Sequence, residues 1–526
     1  MTSGQEEPGA REEALLWDEA HEALEALAGL KLGAPPARPA ESPASHADPA
    51  AEALAALRGL ALAEDLPDPR VLAPRLWDRE NEAAGASDED DLPGPLRAPP
   101  AAVPRLRKGF LAAKNAEGAE PAPSPAGDSA SPEERLRRAT RLMQQARYAE
   151  AEPLLARLVA ERPRHPHPPF FLGCVRQQAG KFADAKALYG AALQLQPELL
   201  GARSNLVTTL TRLGEDDLAL HHARLLCELD GANAERWFNR GIVEAGMGRP
   251  EAAAGSYRRA VELAPAYREA YVNLDACLLG LGRLDEARRW AQRAVDGAFG
   301  FWTHPLQRPP HFVPGLRAQP WWDAADFPWV RKLEAHFETV LKEMLGVLDP
   351  EGLRKLLATG SLLNIQGLGR RWGTVGARAS HDASLVAAGT WKEFALLGNG
   401  ALVEDNCARC PVTTRLLTEV RDIAQMAGFG SGEALFSTIA PGTHLRPHCG
   451  STNTRLTAHL GLVVPEGCSI RCGEETRGWR EGKCIVFDDS FEHEVWHDGT
   501  AVRIVLLINF YHPDVPEEAR GPIRPE

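Results

Sequence analysis

The sequence predicts a multidomain chain: an α-helical repeat array, then an α+β domain with a core of short strands, both behind a disordered N-terminal region. Three observations carry this. Glycine and alanine recur every 34 residues through the middle of the chain. Beyond Ala434, β-branched and aromatic runs alternate with glycine and proline turns. Before residue 132 the chain is dominated by Ala, Pro, Glu and Gly. At 526 residues it is too long for a single core.

The N-terminal composition buries too little apolar surface to offset chain entropy, so residues 1–131 are expected to be disordered. Two short amphipathic stretches, 15–32 and 51–62, interrupt it and are assigned no function.

From Pro132 the repeat begins. Gly180, Gly214, Gly248 and Gly282 share one register. Ala151, Ala185, Ala219, Ala253 and Ala287 share a second, and Pro163, Pro197 and Pro265 a third, with Gly231 in the missing slot. Each unit reads as two amphipathic helices, with glycine at positive φ ending the first, alanine admitting close approach, and proline stopping the second. This pattern resembles the tetratricopeptide repeat over residues 132–298, in five units, the first carrying Ala146 at its turn. Stacked pairs form a superhelix whose groove suits an extended polypeptide; the alternative is a support for the next domain.

At residue 299 the periodicity stops, and a domain is expected over 299–516 with a short tail at 517–526. A helix is predicted at 329–345. Strands are predicted at 435–439, 456–464, 469–472, 484–487, 492–496 and 502–510, the number and spacing of a sandwich or barrel.

Histidines are dense in this region. His448 lies in a predicted loop beside a strand, and His493 on a later strand 45 residues on. Two imidazoles on a β scaffold, with coordination positions left open, suit iron(II), a keto acid and dioxygen. Arg503 falls inside the apolar run 502–508, where a cation needs an anion; a carboxylate gripped by the guanidinium would supply it. The competing reading is an edge-strand arginine facing solvent.

Residues 436–515 resemble the catalytic core of the aspartyl/asparaginyl β-hydroxylases. The matching stretches include Pro441-Gly442-Thr443-His444, Pro447-His448, Arg455-Leu456, His459-Leu460-Gly461-Leu462, Trp479 and the run from Phe487 to Trp496. Upstream, His304-Pro305-Leu306-Gln307-Arg308-Pro309 belongs to the same resemblance. The resemblance implies a double-stranded β-helix (jelly-roll) core and an Fe(II)- and 2-oxoglutarate-dependent dioxygenase that uses dioxygen to hydroxylate the β-carbon of Asp or Asn in a polypeptide. It implies His448 and His493 as metal ligands, and Ser437, His459 and Arg503 as contacts to 2-oxoglutarate. It also implies Asp489 as an acid holding metal-bound water. Gly450 stands where the wider oxygenase class has a ligating carboxylate.

Three positions depart from the animal enzyme of this family: Thr457 replaces an arginine, Leu397 a tryptophan, and Cys407 lacks a partner because Thr414 stands in its place. The first two bear on cosubstrate grip and pocket shape. Two other readings stay open: an inactive tetratricopeptide scaffold, and an oxygenase acting on a lipid or small molecule.

A formal charge of −13 argues against nucleic-acid binding, which rests on phosphate neutralisation. No apolar run of membrane-spanning length occurs. The N-terminus has neither a basic n-region nor an apolar h-region. A cytoplasmic protein is therefore expected, with the endoplasmic reticulum as the family-based alternative.

Overall fold

The computed structural model describes residues 130–349, 368, 372–374 and 385–521. The expectations for residues 1–129, including both amphipathic stretches, and for 522–526 lie outside them. The described residues fall into two compact units, 130–247 and 248–521.

The described repeat region holds ten helices: α1 (Pro132–Gln144), α2 (Tyr148–Glu161), α3 (His167–Gln178), α4 (Phe182–Leu195), α5 (Leu200–Leu213), α6 (Asp216–Leu229), α7 (Ala234–Gly246), α8 (Pro250–Leu263), α9 (Arg268–Gly280) and α10 (Leu284–Asp296). The turn glycines take the left-handed conformation, with φ of 73° at Gly180, 75° at Gly214, 70° at Gly248 and 71° at Gly282. Ala146 adopts the same conformation at φ 57°, where its Cβ is a steric liability. The first unit, α1 to α7, has its own apolar core around Leu155, Phe170, Leu188 and Leu206. Helices α8 to α10 belong to the second unit.

That unit continues with β1 (Trp321–Trp322), α11 (Pro328–Ala335) and α12 (Phe337–Gly346). The predicted helix at 329–345 is thus two helices. The chain bends at His336, where φ −101° and ψ 13° leave the helical region and the imidazole Nδ1 bonds to the Lys332 carbonyl oxygen. Then come β2 (Gly373–Thr374), β3 (Val386–Ala388), β4 (Trp391–Gly398), β5 (Ala401–Leu402), α13 (Glu404–Cys407), α14 (Pro411–Thr418) and α15 (Arg421–Gly428).

The remaining strands are β6 (Ala434–Ile439), β7 (Thr443–His448), β8 (Arg455–Val463), β9 (Cys468–Cys472), β10 (Glu475–Arg477), β11 (Cys484–Phe487), β12 (His493–His497) and β13 (Arg503–Tyr511). All six predicted strands are present. His448 ends a strand rather than lying in a loop: β7 pairs with β12 through backbone hydrogen bonds that its polar residues do not advertise.

An eight-stranded antiparallel sheet runs β1-β11-β8-β13-β6-β4-β2, with β5 against β4. A five-stranded sheet runs β10-β9-β12-β7-β3. Strand residues alternate between faces. On one face of the larger sheet, Phe394, Phe436, Leu456, Ala458, Leu460, Ile504, Leu506 and Ile508 pack under helices α11, α12, α14 and α15. Leu397 packs in this core as well, so its side chain does not shape the opposite face. Residues of the opposite face, Ile439 and Val505, meet Leu445, Ile470 and Val495 of the smaller sheet. The site lies among these inward-facing residues. All nine cysteines are free, and Cys407 donates to the Leu396 carbonyl. No described helix is long and apolar enough to cross a membrane.

Candidate functional site

Alternation along three neighbouring strands brings the predicted residues to one face. Arg503 and Val505 on β13, His459 on β8 and Ser437 on β6 all point away from the helix-covered core. Register completes the grouping: Val505 lies opposite Ser437, and Leu507 opposite His459.

The smaller sheet contributes the histidine pair. His493 and His448 are direct partners in the β12–β7 ladder, with ring centroids 4.1 Å apart. Each ring is oriented by its own chain. His448 Nδ1 donates to the Arg446 carbonyl oxygen at 2.7 Å, and His493 Nδ1 to the Phe491 carbonyl oxygen at 2.9 Å. A carbonyl accepts only from N–H, so each Nδ1 carries a proton; in the neutral ring this leaves the lone pair on Nε2, the form a metal needs. Burial lowers the pKa of His493, which favours the neutral ring.

Phe487 links the two sheets. Its ring lies 5.8 Å from His493 and 5.1 Å from His459. Beyond it, Trp479 donates its Nε1 proton to His459 Nδ1 at 3.2 Å and stacks along the same imidazole. Indole is only a donor, so the His459 proton must sit on Nε2. Burial, with the Arg503 charge beside it, pushes the His459 pKa well down, keeping the ring neutral. The resulting Nε2–H is buried with no hydrogen-bond partner among the described residues.

Arg503 is in the same position. Its guanidinium lies 4.7 Å from the Trp479 ring centroid, and its Nε and Nη1 are buried and unsatisfied among the described residues. Burial pushes its pKa down to about 10. A buried cation without an anion is costly, and an unsatisfied imidazole N–H beside it compounds the cost. An acceptor carrying negative charge, the chemistry of a carboxylate, would complement these donors. Ser437, the third predicted contact, accepts from Trp391 Nε1 at 3.1 Å. Trp391 and Trp479 thus orient two of the predicted contacts. The sequence signal for them was a tryptophan N–H inside a strand-rich core, which needs a partner.

Asp489 is ion-paired with Arg455 at 2.6 Å and nearly buried. Gly450 donates its backbone N–H to the Asp489 carbonyl oxygen. Thr457 lies on the inward face and accepts from Asn509 Nδ2 at 2.9 Å, so its hydroxyl is engaged. Among the described residues no three His, Cys, Asp or Glu side chains cluster closely enough to hold a metal. A metal at His448 and His493 would receive two nitrogens from this histidine pair.

Residues 363–513 match the family model described as aspartyl/asparaginyl beta-hydroxylase, and residues 234–267 match a tetratricopeptide repeat model. The chain is 36% identical over 239 residues to the mouse aspartyl/asparaginyl beta-hydroxylase, covering 45% of this chain and 28% of that protein. It is 33% identical to the human aspartate beta-hydroxylase domain-containing protein 2, over 46% of this chain and 59% of the relative. It is also 33% identical to the ornithine lipid ester-linked acyl 2-hydroxylase of Rhizobium tropici, over 37% and 61% respectively. The chain thus spans less than a third of the aspartyl/asparaginyl hydroxylase it matches, and under two thirds of the other two.

Proposed function

We propose that the aspartyl/asparaginyl β-hydroxylase domain of this chain is an Fe(II)- and 2-oxoglutarate-dependent dioxygenase that hydroxylates the β-carbon of Asp or Asn in polypeptides. One observation carries the reading: the paired imidazoles of His448 and His493 lie one ring, Phe487, away from the buried His459 Nε2–H, which shares Trp479 with the buried guanidinium of Arg503. The two antiparallel sheets are read as a double-stranded β-helix.

His448 and His493 would hold the iron through Nε2. Arg503 and the His459 Nε2–H would bind the far carboxylate of 2-oxoglutarate, with Ser437 beside them. Bound iron(II) and 2-oxoglutarate supply the oxidising power to place one atom of dioxygen in a substrate C–H bond, with succinate and carbon dioxide as coproducts. The chain's own contribution is to orient, to neutralise charge and to exclude water. Trp479 fixes the His459 proton, while Phe487 and Val505 keep the space between the sheets apolar. Asp489, held by Arg455, would retain water at the metal. The repeats favour a polypeptide docked partly on their groove, and nine free cysteines favour a reducing compartment such as the cytoplasm.

The test is iron-dependent succinate release from 2-oxoglutarate, with Asp- and Asn-containing peptides followed by mass spectrometry. One added oxygen on the peptide supports the proposal. Equal turnover by the wild-type protein and His493→Ala would reduce the domain to an inactive scaffold. The similarity to the ornithine lipid hydroxylase favours one second reading, an oxygenase of lipid acyl chains. Oxygen incorporated into ornithine lipid but not into peptide would establish it instead.

A further inference from the structure

We infer that residues 304–309 and the last repeat helices form a brace that positions His493, with Arg308 as the positioning residue; this rests on the metal site proposed above. The brace runs directly behind the ligand-bearing segment. Glu492 N–H donates to the Leu306 carbonyl oxygen at 2.6 Å. Gln307 forms an antiparallel bridge with Phe491, and its Nε2 donates to Asp488 Oδ2 at 3.1 Å and Ser490 Oγ at 3.0 Å. The thiol of Cys449, the residue after His448, lies 3.9 Å from the Leu306 carbonyl oxygen. The same short segment therefore touches the chain beside both predicted ligands.

Phe491 makes this more than packing. Its carbonyl oxygen accepts the His493 Nδ1 proton, and so sets the orientation of that ring. Its backbone is bridged to Gln307, and its own ring lies 5.4 Å from that of His304. The group that orients His493 is pinned by the brace.

The brace is in turn tied to the repeats by buried charge. Arg308 Nε donates to Asp275 of α9 at 2.8 Å, Nη1 to the Pro305 carbonyl oxygen at 2.6 Å and Nη2 to Glu492 at 2.8 Å. Glu492 also receives Arg288 of α10 at 2.5 Å and Arg471 of β9 at 2.9 Å. Trp302 Nε1 and Arg268 extend the attachment by donating to the Pro309 and Pro310 carbonyl oxygens. Removing Arg308 leaves two buried carboxyls, one of them next to His493, without their shared cation.

The test uses the full chain and manganese(II), with affinity as the readout. Asp275→Asn and Arg308→Met should weaken manganese binding about 10- to 100-fold, the range for groups that orient metal ligands. Amide hydrogen exchange at 488–493 should rise in both. Leu206→Ala, in the core of the other compact unit, should lower the melting temperature and leave manganese affinity unchanged. If Arg308→Met does not fold, Arg288→Ala carries the test with a several-fold loss, since its side chain is 37% exposed. Wild-type affinity in a folded Arg308 or Asp275 variant overturns the brace alone. A wild-type protein that binds no manganese, or binds it equally well as His493→Ala, overturns the metal site and the brace together.

Discussion

The carboxylate of Asp489 fills the space that a side chain on Gly450 would need. A Cβ at 450 would lie 2.6 Å from Asp489 Oδ2 and 2.7 Å from its Cγ, well inside contact distance. Position 450, two residues after His448, is where the wider oxygenase class places a ligating carboxylate. Here the room for it is already taken by a different acid, anchored to Arg455.

Gly450→Asp should therefore fail to create a third metal ligand. The collision displaces Asp489 or the backbone, at a cost of about 1–3 kcal/mol for overpacking. Thermal melting should show this loss, and manganese titration should show weaker binding. Tighter binding in Gly450→Asp would contradict the crowding.

Arg503→Met should stabilise the cosubstrate-free protein while disabling it. A buried guanidinium whose Nε and Nη1 have no hydrogen-bond partner among the described residues is replaced by an apolar side chain of similar length, which removes the cost of burying the charge. The melting temperature without 2-oxoglutarate should rise, and 2-oxoglutarate affinity should fall about 10- to 100-fold, as expected for losing a charge-assisted hydrogen bond. Arg503→Lys keeps the charge but not the fork and should recover only part of that affinity. A lower melting temperature in Arg503→Met would show that the cation already has an internal partner.

Trp479→Phe separates stacking from proton placement. The ring remains against His459, but the Nε1 donor to His459 Nδ1 is lost. The His459 proton can then move to Nδ1, turning the Nε2–H donor into an acceptor that repels a carboxylate. The KM for 2-oxoglutarate should rise about 10-fold, as for other orienting partners, with manganese affinity unchanged. An equal loss of metal affinity would assign Trp479 a general packing role.

Asp488 predicts a pH dependence of stability. Burial, reinforced by the neighbouring Asp489 charge, pushes its carboxyl up to about 8 in the folded chain, against an ordinary value of 3.8. The folded state thus holds a proton that the unfolded chain has lost. The stabilisation is full below pH 3.8 and disappears as pH rises through about 8. Asp488→Asn cannot ionise. Its melting temperature should gain on that of the wild type as pH rises from 5 to 9, and a difference independent of pH would count against the buried proton.

The repeat was legible in the sequence because its signals are local. A glycine ending one helix and an alanine under the next reappear every 34 residues, and each is dictated by conformation or contact within its own unit. The strands 435–439, 456–464 and 502–510 were legible for the same reason, since β-branched alternation survives without knowledge of the neighbours. The strand Thr443–His448 was not, because Arg446, Pro447 and His448 carry no apolar period and only their pairing with β12 and β3 makes them extended. The single helix expected at 329–345 broke at His336, where the side chain bonds back to Lys332.

Within the site, residue type and resemblance singled out His448, His493, Ser437, His459, Arg503 and Asp489. Sequence alone determined that these groups occur, and that a helical repeat array precedes a strand-rich domain. Only the tertiary structure decided which of them meet: His448 opposite His493, Asp489 in the space of a side chain at 450, and Trp479 between His459 and Arg503. It also decided that Arg308 joins Asp275 to Glu492, a contact spanning more than 180 residues on one side. Periodicity reports what a segment buries within a few residues. The partner of a buried charge, or the proton position on an imidazole, is set by groups far away in the chain and exists only once the strands have paired.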